Sequence, residues 1–196
     1  METKLIILDI GEDDQLDFQI AKVDRPAIES NWQIFNDQRR YSFADKEKRI
    51  VQGYFMIADL PIYRRDANGE YYVKFTKDSI MNIVQNFMRN GLTKNVNEDH
   101  QTNVLSEDVF VLESWIIDSA RGTTAPKGFE SIEGSWFGSM KINNDEIWEK
   151  IKNGDFSGFS VEGDFIPTAE LNSDDKILEA VKRIIKKEVE VTSGKV

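Results

Sequence analysis

The segment GDFSGFSVEGDF, residues 154–165, sets a hydroxyl among strand-forming side chains. Phe156, Phe159, Val161 and Phe165 favour extended backbone, and Gly154, Gly158 and Gly163 leave the surroundings of Ser160 open. A serine in this position is either a surface hydroxyl on a twisted strand or a nucleophile, and a serine nucleophile needs a base. The chain holds a single histidine, His100, in NVNEDHQTN. Imidazole is the side chain whose ordinary pKa lies nearest neutrality, so His100 is either a solvated loop residue or the general base. Glu98 and Asp99 beside it could orient the ring, but neighbours on an extended chain project in opposite directions, so one of them faces solvent. His100 and Ser160 are far apart in sequence, and only the fold could bring them together.

Other chemistries are poorly served. With no cysteine there is no disulfide framework, thiolate metal site or cysteine nucleophile. A second histidine is missing, as is any ligand spacing of the HExxH kind, so neither a metal nor another cofactor is expected. GEDDQLD near the start lacks the spacing of a calcium loop, and no phosphate-binding glycine loop occurs. GFSVEG reads G-x-S-x-x-G, which is not the nucleophile elbow of α/β-hydrolases. A net charge of -10 argues against nucleic acid as a partner, because phosphate binding needs clustered Lys and Arg. No apolar run reaches membrane-spanning length, and METKLIILDIGEDD lacks the basic and apolar regions of a signal peptide. A soluble intracellular protein without membrane contact is therefore expected.

The elements that must position the two residues are read from periodicity. LIILDI (5–10) predicts a strand, and FQIAKVD (18–24), which stops before Pro26, predicts its hairpin partner. Residues 29–49 are polar and read as a connector. Strands follow over 49–58 and 70–75, with a turn at Asp66–Gly69. KDSIMNIVQNFMRNG (77–91) has Ile80, Ile83, Val84, Phe87 and Met88 at helical spacing, with Asp78 as the candidate cap and Gly91 as the stop. Strands at 109–117 and 134–142 flank the loop RGTTAPKG, and a short helix over 143–154 precedes the Ser160 strand. Trp115, Trp136 and Trp148 fall at strand or helix positions and are expected in the core. An amphipathic helix over 174–191 closes the chain. Many strands, few helices and no regular βαβ alternation predict an α+β or β-barrel core.

Several segments together resemble the XkdF-like phage serine proteases, relatives of the tailed-phage prohead proteases. They are VDRPAIESNWQIF (23–35), PIYRRDANGEYYVKFTKDSI (61–80), NVNEDH (95–100), ESWIID (113–118) and the stretch from Gly134 to Phe165. The resemblance implies an α+β fold like that of the herpesvirus assemblin-type proteases, a mostly antiparallel β-barrel with peripheral helices. It also implies a serine endopeptidase that cuts scaffold and capsid-protein extensions during procapsid maturation. Scaffold and major capsid protein would be its substrates, inside the procapsid beside the portal, in the host cytoplasm, and an oligomer is compatible with it. A protease domain would span residues 1–170, hairpin 4–24 included, followed by a helix or tail over 171–196. The histidine of the family's N-x-x-H stretch falls on His100 and the serine of its G-[FL]-S stretch on Ser160, the pair already singled out by residue type.

The third member of a triad is less direct. In the lambdoid head proteases an acidic residue lies downstream of the serine, in a strand that ends in V-x-x-P-A. Here that stretch is VDRPA (23–27), near the N-terminus, as if the chain were permuted. The position matching the acid is then Gln19, which cannot ionise. Asp17, two residues earlier, and Glu113, in the strand after His100, are the candidates, with Glu113 preferred because its strand follows the His100 loop. The missing acid also leaves open a catalytically inactive head protein that keeps the protease fold. An unrelated acidic binding module is the remaining alternative.

Overall fold

The computed structural model describes residues 4–10, 16–20, 42–45, 48–66, 69–98, 102–103, 108–155, 158–163 and 165–172. Their strands are β1 (Lys4–Ile10), β2 (Leu16–Ile20), β3 (Ser42–Asp45), β4 (Ile50–Met56), β5 (Ile62–Asp66) and β6 (Gly69–Phe75). Then come β7 (Val96–Glu98), β8 (Thr102–Asn103), β9 (Val109–Ile116), β10 (Trp136–Ile142), β11 (Ser160–Gly163) and β12 (Phe165–Asn172). Two α-helices lie among them, α1 (Lys77–Arg89) and α2 (Asp145–Asn153). The strands form three four-stranded sheets, ordered β12-β1-β6-β5, β3-β4-β10-β9 and β11-β2-β7-β8.

The α+β class agrees with the expectation, but the closed barrel does not. Among the described residues the strands remain in three sheets, and two pairings, β1 with β6 and β2 with β7, are parallel. The hairpin expected from residues 4–24 is also absent from the described pairings: β1 and β2 are not partners. Instead the N-terminal segment runs antiparallel along the whole of β12 and β11, from Lys4↔Asn172 to Ile10↔Phe165 and then from Leu16↔Gly163 to Gln19↔Ser160. The physical reason is that each N-terminal strand meets a distant strand on both sides. A short connection makes a hairpin available, but packing on both sides outweighs that local advantage. Sequence reading also passed over β5, an edge strand that pairs with β6 from Ile62↔Val73 to Asp66↔Gly69. The segment predicted as a helix over 174–191 lies outside the described residues, and β12 runs to Asn172, just past the expected domain boundary.

One hydrophobic core joins the three sheets and both helices. Ile80, Ile83 and Phe87 of α1 enter it, as the helical spacing predicts, with Ile147, Trp148 and Ile151 of α2, Val96 of β7 and Met140 and Ile142 of β10. The N-cap of α1 is Thr76 rather than Asp78: Ser79 N–H donates to Thr76 Oγ1 at 3.1 Å, which leaves Asp78 in the first turn, where its charge favours the helix dipole. Trp136 is 0% exposed at the centre, edge-on to Phe55 at 5.3 Å and to Phe87 at 5.0 Å. Trp136→Ala is therefore expected to destabilise the fold by about 3–5 kcal/mol, seen as a lowered urea midpoint with an unchanged slope.

A smaller cluster covers the other face of β4 and β10. Tyr54, Phe137 and Ile117 meet Trp115 of β9 and Phe129 and Ile132 from the segment between β9 and β10. The Tyr54 hydroxyl donates to the Glu130 carbonyl and accepts from Ile132 N–H at 3.2 Å. Burial raises the Tyr54 pKa above its ordinary value, so the phenol keeps the proton that it donates. Successive residues of β10 thus serve two cores.

Candidate active site

Ser160 opens β11. Before it, α2 is stopped by Gly154 in the left-handed conformation (φ 81°), with Gly154 N–H donating to the Ile151 carbonyl and Asp155 N–H to that of Lys150. The chain then passes the buried Gly158 and enters the sheet after Phe159, whose ring sits edge-on to Phe55 of β4 at 5.0 Å.

The register of this sheet aligns four positions. Ser160 lies opposite Gln19, Gln19 opposite Asn97, and Asn97 opposite Asn103. Only β2 separates the Ser160 strand from β7, so two interstrand steps of about 4.8 Å span the gap. β7 ends at Glu98 and β8 begins at Thr102, and His100 lies in the connection between them, outside the described residues. The alignment adds one position that residue-by-residue reading missed. Asn97 is the first residue of the N-x-x-H stretch, so that motif begins in the same row as Ser160. Its signal was the motif itself, which was used only for its histidine.

The two candidate carboxylates fall in different sheets. Asp17 is on β2, opposite Glu162 and two residues from the Gln19 that faces Ser160 in register. Glu113 is on β9, the end strand of the β3-β4-β10-β9 sheet, where it pairs with Ser139. The Ser139 hydroxyl, on a residue 1% exposed, donates to Glu113 Oε1 at 3.0 Å. Ser139 follows Gly138, which abuts Phe55, and precedes Met140 of the main core, so by alternation it projects from the opposite face, the one that carries Phe137. Glu113 therefore has a partner on the side of its sheet away from Phe159. Among the described residues no three His, Asp or Glu side chains converge to hold a metal ion.

A family model described as "Putative phage serine protease XkdF" matches residues 39–168. No curated protein and no solved structure matches the chain. The matched span contains His100, Glu113 and Ser160, and it leaves β1 and β2, with Asp17 and Gln19, on its N-terminal side. The match covers well over half of the 196 residues and includes both the N-x-x-H stretch and the Ser160 strand. The chain belongs to the XkdF family of phage serine proteases.

Proposed function

We propose that the protein is a serine endopeptidase of the immature phage head, with Ser160 as nucleophile and His100 as general base. The observation that carries this reading is the strand row Ser160–Gln19–Asn97, which sets the start of the N-x-x-H stretch two strands from the serine. In this mechanism His100 accepts the proton of Ser160 Oγ as the oxygen attacks a peptide carbonyl, and an acyl-enzyme forms as that proton passes to the leaving amine. Water, activated by the same imidazole, then releases the acyl group. Backbone N–H groups beside Ser160 stabilise the oxyanion, and the adjacent glycines admit a substrate backbone. Its substrates are scaffold and major capsid protein extensions, cut inside the procapsid in the host cytoplasm.

Asp17 takes the third place in this reading because its strand lies between β11 and β7 in the sheet order, while the Glu113 carboxylate accepts from Ser139 in another sheet. The test is co-expression with scaffold and capsid protein, with products read by intact-mass spectrometry. Cleaved scaffold is expected with the native chain, and uncut scaffold throughout would end the protease reading. In the same assay Asp17→Asn should lower the rate by about 10⁴-fold, as loss of the orienting acid does in other triads. Glu113→Gln should change it less than about tenfold. The reverse result would return Glu113 to the triad. One observation favours a second reading, an inactive head protein with a protease fold: the residue opposite Ser160 is Gln19, which cannot ionise.

A further inference from the structure

Phe55 stands where the main core meets the Ser160 strand. It lies on β4, is 5% exposed, and packs edge-on against Trp136 at 5.3 Å and Phe159 at 5.0 Å. Trp136 in turn meets Phe87 of α1 at 5.0 Å. Four rings, Phe87, Trp136, Phe55 and Phe159, thus form a continuous series of edge-to-face contacts from a helix to the residue before Ser160.

The next strand makes room for this arrangement. A Cβ on Gly138 of β10 would lie 2.5 Å from Phe55 Cε2 and 2.7 Å from both Phe55 Cζ and the Glu113 carbonyl oxygen. Gly138 does not have a positive φ, so its backbone conformation does not call for glycine. The Phe55 ring, together with the neighbouring carbonyl, accounts for the missing side chain. β11 is terminal in its sheet order and paired with β2. Its start is therefore located by β2 on one side and by the Phe55–Phe159 contact from the core.

We infer that Phe55, seated by Gly138, is a positioning residue that sets the backbone of Phe159, and with it Ser160, against the β7–β8 end of the sheet. The inference rests on the proposed role of Ser160. A close-packed interior transmits a ring displacement instead of absorbing it, and a shift of about 1 Å at a nucleophile can cost about 10²-fold in rate.

The experiment uses the full chain with Phe55→Leu, Gly138→Ala and the double variant. Reactive sites are titrated with a fluorophosphonate, so that rates refer to molecules with a competent serine. Phe55→Leu and Gly138→Ala should each lower kcat per titrated site by tenfold or more, with KM within about twofold. In the Phe55→Leu background, Gly138→Ala should cost less than in the native chain, because the clash with the ring is relieved and only that with the Glu113 carbonyl oxygen remains. Ile83→Ala, a buried α1 change outside the ring series, should lower the thermal midpoint and leave kcat per titrated site unaltered. Amide exchange supplies a readout independent of activity: residues 159–163 should exchange faster in both single variants while β10 stays protected. If Phe55→Leu fails to fold, Gly138→Ala carries the test alone, because it retains every apolar group. Native kcat per site in both single variants, or native exchange at 159–163, overturns the inference while leaving the protease reading intact. A chain that cleaves nothing overturns the protease reading, and exchange still decides whether Phe55 sets the strand.

Discussion

Ser160→Ala is expected to abolish cleavage, with a fall in kcat on the order of 10⁶-fold, and to leave the fold in place. The loss is large because no other group supplies the covalent step: without Oγ there is no acyl-enzyme, and what remains is the contribution of substrate binding and oxyanion stabilisation. The fold survives because β11 is held by its backbone register to β2, from Ser160↔Gln19 to Gly163↔Leu16, and alanine makes the same backbone bonds. The measurement is scaffold cleavage by intact mass, alongside the thermal midpoint of the purified variant. An unchanged midpoint with uncut scaffold is the expected pair. Native cleavage by Ser160→Ala would remove the mechanism outright, and the inactive head-protein reading would then lead.

His100→Ala should come close to the same loss, since a serine hydroxyl without a base is a poor nucleophile at neutral pH. The pH profile of the native protein supplies a separate check. Imidazole must be neutral to accept the Ser160 proton, so kcat/KM should rise with pH through the ordinary imidazole range, near about 6.5. A carboxylate beside the ring stabilises the imidazolium, which raises the pKa and moves the rise to higher pH. Asp17→Asn should then shift the midpoint downward as well as slow the reaction. A flat profile across this range, or a His100→Ala variant with native rate, would exclude imidazole as the base.

The sequence by itself determined the features that depend on neighbours along the chain. Ile80, Ile83 and Phe87 fall on one face of a 3.6-residue repeat, and that face is buried. Gly154 ends α2, and Asn144 begins it by accepting from Ile147 N–H, both local matters of capping. Trp136 and Trp148 are buried, as bulky apolar residues in regular elements tend to be. Ser160 and His100 were legible from residue type, as the one histidine and a serine set among glycines.

Only the tertiary structure decided which strands became partners. LIILDI and the strand after it look like a hairpin because the connection is short, yet β1 lies between β12 and β6, and β2 between β11 and β7. Alternation shows that one face of a strand is buried but does not say against what, since several partners can satisfy the same pattern. Pairing is chosen by the combined packing of all the strands, which is why an expected barrel became three sheets sharing one core. Glu113 is subject to the same limit. Closeness in sequence to His100 favoured it, but its strand joins a different sheet, and its carboxylate accepts a hydrogen bond from Ser139. The row that aligns Ser160 with Gln19 and Asn97 draws on three distant parts of the chain. Such a row exists only once long-range ladders close, because register is a property of paired strands and no single strand contains it.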